Sequence, residues 1–122
     1  MDLKYEDVIS DFKVNVAGAL VSAQQVIPLM LDKREGTILF TGGGLAIEPF
    51  PMYTSLAIGK AGIRNLSHSL YAELKSKNIH AATVIVTGFV KPDTKYAPGL
   101  IAEEFWKLHL QKREEFQREI II

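Results

Sequence analysis

Apolar positions near the start of the chain recur every three or four residues, as one face of a helix requires. These positions are Phe12, Val16, Leu20, Ala23, Ile27 and Met30. They predict a long helix over residues 5–32. Its other sides also carry apolar residues, such as Val14 and Val21, so we expect it to be buried on two sides, against a sheet and against a second partner.

Two short apolar runs without polar alternation predict strands that are covered on both faces. The first spans residues 37–40, before three glycines at 42–44, and the second spans residues 79–86. Leucine and isoleucine at helical spacing predict a helix over residues 55–75 between them. A loop rich in turn residues follows the second strand, and an amphipathic helix is predicted over residues 100–116. The terminal residues 119–122 predict either a short strand or an apolar tail.

Strands that alternate with helices imply an α/β fold with a parallel sheet. We expect three layers, in which a sheet of two or three strands is flanked by helices. Such a small sheet has an unpaired strand edge and cannot cover all of the apolar helix surface. Residues 1–122 are therefore expected to form a single partial domain.

Composition excludes several classes of function. The chain has 122 residues, 48% of them hydrophobic, which suffices for one core. Fourteen basic residues balance fourteen acidic ones, and no basic block predicts a nucleic-acid surface. The absence of cysteine excludes thiol catalysis and is typical of a cytoplasmic protein. The charged N-terminus and the lack of a long uninterrupted apolar run predict a soluble chain without a membrane span.

The three histidines do not predict a metal site. His68, His80 and His109 lie on different predicted elements, and no carboxylate cluster accompanies them. Positions at the surface or at the edge of the core are the expectation for all three.

Several short motifs, taken in order, resemble the C-terminal half of the short-chain dehydrogenase/reductase family over about residues 8–106. They are "NVAGAL" in the first helix, a strand ending in a glycine-rich turn, a lysine early in the next helix, and "TVIVTGFVKPDT". The resemblance implies a partial Rossmann-type fold and, in the parent enzyme, NAD(P)-dependent oxidoreduction of a small carbonyl or alcohol. It also implies that residues 1–122 lack the N-terminal half with the glycine-rich dinucleotide fingerprint. We therefore expect NAD or NADP to serve the parent enzyme, and this chain alone to bind either one weakly or not at all.

The family moves a proton with an Asn, Ser, Tyr and Lys set, of which two positions match. They fall on Asn15 and on Lys60, whose ammonium would bind the nicotinamide ribose and lower the pKa of a catalytic tyrosine. The alternative for Lys60 is a stem along apolar surface and a charge in water. The tyrosine falls on Leu56 and the serine on Gly43, so the usual proton relay is broken. Tyr53 is the candidate replacement, about 10 Å ahead of Lys60 along a helix, with ordinary packing as its alternative.

The loop after the second strand is expected to pass the nicotinamide in the parent enzyme. The resemblance implies that Thr87, Gly88, Phe89 and Val90 lie beside this ring, and that Thr94 reaches the carboxamide or the pyrophosphate. A turn that simply ends the strand is the alternative. The glycines at 42–44 lack a phosphate-binding pattern and predict a flexible turn beside the site.

Two functions remain open. The chain is either a truncated or fragmentary short-chain dehydrogenase/reductase that is inactive alone, or a non-catalytic, self-associating module derived from that fold. An internal start, proteolysis and an autonomous module are the alternatives for its short length. In the family, the helices that match residues 5–32 and 55–75 pack against a neighbouring subunit, so at least a homodimer is expected.

Overall fold

The computed structural model describes all 122 residues and places three strands between two layers of helix. The helices are α1 (Tyr5–Phe12), α2 (Gly18–Lys33), α3 (Thr54–Leu74) and α4 (Pro98–Leu110), and the strands are β1 (Gly36–Gly43), β2 (Ile79–Val86) and β3 (Glu119–Ile121). A π-helical segment, Lys13–Ala17, joins α1 to α2 without a break. The strands are ordered β1-β2-β3 and pair in parallel. The predicted α/β class and parallel sheet are thus confirmed.

Both faces of the sheet are covered, as the two unbroken apolar runs predicted. The strand β2 is buried from Ile79 to Ile85. One face packs against α2 and α3, through a core made of Val16, Ala23, Phe40, Ile63, Leu70, Leu74, Ile79 and Ala81. On the other face, Leu108 of α4 packs on Ala82 and Val84.

The strand β1 is longer than the predicted residues 37–40. It continues through Gly42 and Gly43, which pair with Ile85 and Val86 of β2. A Cβ at position 42 would overlap Ile85 Cδ1 and lie 2.9 Å from Thr83 Oγ1. Glycine at 42 therefore allows a close approach of β1 to the side chains of β2. The predicted glycine turn begins only after the strand, in the 3₁₀ turn Gly44–Ala46.

The chain ends in a strand rather than in an apolar tail. The helix α4 stops at Leu110, before the predicted residue 116, because Gln111 is extended and begins a return toward the sheet. The side-chain amide of Gln111 donates to Gln117 Oε1 at 2.5 Å, and the Oε1 of Gln111 accepts from the Gln117 N–H at 2.9 Å. These bonds fix the reversal that brings β3 alongside β2.

An ion pair joins β3 to α3. Arg64 of α3 donates two hydrogen bonds to the carboxylate of Glu119, at 2.6 and 2.8 Å. His68, one turn further along α3, lies 3.2 Å from the same carboxylate. The bonds from Arg64 hold the pKa of the Glu119 carboxyl below its usual value. The pair therefore stabilises the terminal strand most when this carboxyl is ionised.

The buried residue His80 of β2 has a carbonyl oxygen beside each ring nitrogen. Its Nδ1 lies 3.0 Å from Leu108 O and its Nε2 lies 2.7 Å from Gln117 O, while the ring stacks on Phe116 at 4.1 Å. A neutral imidazole has one N–H and can donate to only one of these oxygens. Burial nevertheless outweighs both contacts and lowers the pKa of His80, so the folded state favours the neutral ring.

The continuous helix Tyr5–Lys33 departs from the sequence expectation in two ways. It is long and apolar enough to cross a membrane by length and composition, and only 6% of its most apolar stretch is buried within the chain. The sequence prediction that the chain has no helix of this kind rested on the lack of an uninterrupted apolar run. This helix is interrupted by polar residues, but they are few and dispersed, so its average composition is still apolar. Core helices and signal sequences share this composition. The expected burial on two sides is wrong for this chain, because only one side of the helix meets α3 and the sheet.

Candidate functional site

A cavity of about 610 Å³ lies where β1 and β2 end. In parallel α/β sheets, ligands bind outside the carboxyl ends of the strands, so this is the position expected for a site. Its walls come from three segments: the residues after β1, the start of α3 and the residues after β2. Among the predicted site residues, Tyr53, Lys60, Thr87 and Gly88 line this cavity.

Lys60 is the one basic side chain among the residues that line the cavity. It lies in the second turn of α3, is half-buried, and its Nζ donates to the carbonyl oxygen of Thr41 in β1 at 3.3 Å. The alkyl chain passes over Gly43, where a Cβ would lie 3.4 Å from Lys60 Cε. This is an ordinary van der Waals distance, so the alkyl chain of the lysine packs along the end of the strand. The ammonium is held at the strand ends instead of extending freely into solvent.

Asn15 lies behind α3 rather than in the cavity wall. It belongs to the π-helical segment, in which the Gly18 N–H donates to Lys13 O, five residues back. A Cβ at Gly59 would lie 3.2 Å from both Cβ and Nδ2 of Asn15. Asn15 therefore packs against the turn of α3 that carries Lys60. Single π-helical turns of this kind are frequent at functional sites.

The predicted cofactor loop divides into two parts. Thr87 and Gly88 line the cavity, whereas Val90 and Thr94 do not. The side chain of Val90 is exposed. The Thr94 hydroxyl closes a turn within the loop, where it donates to a backbone carbonyl at 2.8 Å and accepts from a backbone N–H at 3.1 Å. Contact of Val90 and Thr94 with a cofactor stays a prediction.

Tyr96 fastens this loop to the end of β2. Its phenol oxygen lies 3.1 Å from Thr87 Oγ1, and because that hydroxyl donates to Ile122 O at 2.5 Å, the phenol is the donor to Thr87. The ring covers Gly88 so closely that a Cβ there would overlap it. The glycine at 88 therefore permits the phenol to hold the loop against the strand.

The position at which the family resemblance places the catalytic tyrosine carries no proton donor. Leu56 stands there and does not line the cavity. Tyr53 does line it, from the 3₁₀ turn Pro51–Tyr53 that precedes α3, and its ring centroid lies 6.1 Å from that of Phe50. The cavity thus combines one phenol, from Tyr53, with the ammonium of Lys60.

Much of the cavity wall was not predicted from the sequence. Ile47 and Phe50 line it together with Glu48, none of which was expected there, and with Phe89 of the predicted cofactor loop. The one available signal is that large apolar side chains stand in predicted loops, where packing does not require them. Phe89 is 93% exposed, so it is free to contact a ligand. No group of three or more His, Asp or Glu side chains is placed to hold a metal ion.

Comparisons with known proteins agree on one family. The family model described as short chain dehydrogenase matches residues 1–99. The chain is 35% identical over 104 residues to 17-beta-hydroxysteroid dehydrogenase type 3 of Danio rerio, covering 80% of this chain and 33% of that protein. It is 30% identical over 95 residues to inactive hydroxysteroid dehydrogenase-like protein 1 of Rattus norvegicus, covering 77% of this chain and 28% of that protein.

A solved structure has the same fold over nearly the whole chain. The short-chain dehydrogenase from Rhodopseudomonas palustris matches with a TM-score of 0.84 at 25% identity, covering 99% of this chain and 53% of that one. The chain therefore spans about a third of the length of the two curated relatives and about half of the solved structure.

Proposed function

Because this chain belongs to the short-chain dehydrogenase family, we propose that its cavity is the active-site part of an NAD(P)-dependent oxidoreductase acting on a small carbonyl or alcohol. Residues 1–122 correspond in this proposal to the C-terminal half of a Rossmann-type domain. The observation that carries it is the position of Lys60, whose Nζ lies 3.3 Å from Thr41 O at the carboxyl end of β1. Thr87 and Gly88 face the same cavity from the end of β2.

Each predicted residue has a role in this proposal. Lys60 binds the nicotinamide ribose. Tyr53 is the proton donor, because it is the phenol that lines the cavity and Leu56 has no proton to give. Asn15 positions the turn of α3 that holds the lysine. Bound NAD(P) would supply or accept the hydride.

The cofactor end of the cavity fits a nicotinamide better than it fits a whole dinucleotide. Gly43 and Gly44 line the cavity from the end of β1, and Thr87 and Gly88 line it from the end of β2, with Val90 and Thr94 further along the loop. Residues 1–122 contain no glycine-rich dinucleotide fingerprint for the pyrophosphate. We therefore propose that the 122-residue chain alone binds NAD(P) weakly or not at all.

Two measurements test this proposal. Isothermal titration of the 122-residue chain with NADH or NADPH should give no low-micromolar binding, and such affinity would overturn the weak-binding part. The product of the whole reading frame, defined by its intact mass, should oxidise NADH or NADPH in the presence of a ketone. Absence of turnover there would overturn the oxidoreductase assignment.

Two variants of that product locate the chemistry. Lys60→Met and Tyr53→Phe should each lower kcat/KM by about 10²-fold or more, the usual contribution of a group that assists proton transfer. Lys77→Met removes an exposed lysine that lies outside the cavity and should leave the rate unchanged. Equal rates for Tyr53→Phe and the unchanged product would remove Tyr53 from the proposal and leave Lys60 in it.

The exposed helix Tyr5–Lys33 favours a second candidate function, a non-catalytic module that self-associates. Val14 is 75% exposed, Val21 55% and Leu29 63%, which is more apolar surface than a monomer usually leaves in water. We propose at least a homodimer through this helix and α3. Light scattering should show it, and Val21→Glu should weaken it. A monodisperse monomer at high micromolar concentration would contradict this candidate.

A further inference from the structure

The cavity is polar at the strand ends and apolar on its outer wall. Lys60 and Thr87 lie at the strand ends, whereas Ile47, Phe50 and Phe89 form the outer wall. We infer that the substrate is an uncharged, extended and mainly apolar ketone or alcohol, such as an acyl-chain or fused-ring compound, whose reacting oxygen is its polar end. That this oxygen reacts depends on the proposed function. That the compound binds depends on the cavity alone.

The charges in the cavity disfavour an acidic substrate. Lys60 and Glu48 are the two ionisable lining residues apart from Tyr53. Lys60 is bonded to Thr41 O at 3.3 Å and is assigned to the cofactor ribose. Glu48 has an exposed carboxylate, which repels a carboxylate or a phosphate on a substrate. A hydroxy acid or an amino acid would therefore find no free cation in this cavity.

The apolar wall continues beyond the cavity. A second depression of about 410 Å³ shares Leu45 and Phe50 with the first. Its other walls include Pro49, Pro51 and Ile58, and it has no charged side chain. The hydroxyl of its one threonine, Thr54, is bonded to a backbone carbonyl at 2.8 Å. The two depressions together offer an apolar ligand a continuous surface on both sides of Phe50.

The ring that separates the two depressions and the ring opposite it are both accessible. Phe50 is 55% exposed and Phe89 is 93% exposed. A ligand that covers these rings removes apolar surface from water on both partners, which favours binding in proportion to the buried area. Each additional methylene placed against them should lower Kd about threefold to fourfold.

A series of uncharged methyl ketones tests the inference by binding without cofactor, in the chain and in its Lys60→Gln variant, in which no ammonium of the cavity can hold an acidic probe. The probes are 2-butanone, 2-hexanone, 2-octanone and 2-decanone, with 9-oxodecanoate as a charged ketone of the same length as the last. Ligand-observed NMR titration of the 122-residue chain gives each Kd. We expect Kd to fall with chain length and 9-oxodecanoate to bind at least about tenfold more weakly than 2-decanone, from lost apolar contact and repulsion by Glu48.

Three variants assign the effect to the cavity. Phe89→Ala and Phe50→Ala should each reduce the dependence of Kd on length while leaving 2-butanone unchanged, and Phe89→Leu should restore most of it. Because Phe89 is almost fully exposed, its removal should not affect folding. Glu48→Gln should improve 9-oxodecanoate binding a few-fold and leave 2-decanone unchanged. Leu110→Ala, an equally apolar change at a 61% exposed site at the end of α4, is the matched control and should change no Kd.

The outcomes separate this inference from the proposed function. A Kd that is independent of ketone length, or 9-oxodecanoate binding as tightly as 2-decanone, overturns the apolar substrate class even if the intact enzyme turns over NAD(P)H. Equal loss of binding in Leu110→Ala also overturns it, because the ketones then bind elsewhere. Length-dependent binding that requires Phe50 and Phe89 supports it, even if the intact product shows no hydride transfer and the oxidoreductase proposal fails.

Discussion

Replacing Gly62 with alanine tests how closely α3 packs against the helix that carries Asn15. Gly59 and Gly62 lie one turn apart on α3 and both face the π-helical segment. A Cβ at position 62 would lie 2.7 Å from Val16 Cγ2 and 3.4 Å from Phe12 Cε2. Carbon atoms in ordinary contact are about 3.5–4.0 Å apart, so the methyl group would force the two helices to separate by roughly 1 Å.

The expected cost follows from two opposing terms. Val16 is only 9% exposed, and its branched side chain has little rotamer freedom in a helix, so it cannot turn aside. Overpacking of this kind costs about 1–3 kcal/mol. Removing a glycine from a helix returns about 0.5–1 kcal/mol. The net loss in the free energy of unfolding is therefore about 0–2.5 kcal/mol.

Gly18→Ala is the matched control. It makes the same change in the neighbouring helix, but there a Cβ would meet only Lys13 O at an ordinary 3.5 Å. This variant should gain about 0.5–1 kcal/mol, so urea unfolding followed by circular dichroism should separate the two variants by about 1–3 kcal/mol. In melting temperature this corresponds to roughly 3–5 °C per kcal/mol. Val16→Ala should partly rescue Gly62→Ala in a double-mutant cycle. Equal stability of Gly62→Ala and Gly18→Ala would refute the close packing.

Three further predictions concern single polar groups. Ser67 has a buried hydroxyl without a hydrogen-bond partner, so Ser67→Ala should leave the free energy of unfolding unchanged or raise it by up to about 1 kcal/mol. A large decrease in the melting temperature would show that the hydroxyl does have a hydrogen-bond partner. The pKa of His80 is lowered by burial, so as pH falls the unfolded chain protonates this histidine before the folded chain does, and the free energy of unfolding should decrease below about pH 6.5. His80→Gln should show a smaller decrease. The same dependence on pH in both proteins would contradict this. The pKa of Glu119 is lowered by Arg64, so the stabilisation from this carboxylate is present above about pH 4.5 and is lost as pH falls further. Glu119→Gln should lower the free energy of unfolding by about 1–2 kcal/mol at neutral pH and should have no effect near pH 3. A loss of the same size near pH 3 would rule out the charge of Glu119 as its cause.

The elements that local pattern controls were predicted well. The strand β2 was predicted at its observed bounds, because an unbroken apolar run follows directly after Asn78, whose φ of 60° ends the preceding helical turn. The length of β1 was predicted too short, because Gly42 and Gly43 are typical of turns. The strand extends through these two glycines only because they pair with β2. Propensity alone carries no information on that long-range contact.

The candidate site divides in the same way. The order of the family motifs identified Lys60 and Tyr53, both of which line the cavity. Phe89 was expected beside the nicotinamide and also lines the cavity, whereas Ile47 and Phe50 were not identified, because they come from the loop before α3 and no family motif falls on them. The role of Tyr96 depends on the glycine at 88 that its ring covers, a contact that no spacing rule reveals.

The helix α3 presents Lys60, Arg64 and His68 at successive turns of one face, and the last two of these side chains hold Glu119 of β3. Selection on the terminal strand and selection on the cavity therefore act on the same helix. The same face of α3 is therefore bonded to both outer strands of the sheet, through Lys60 to Thr41 of β1 and through Arg64 to Glu119 of β3.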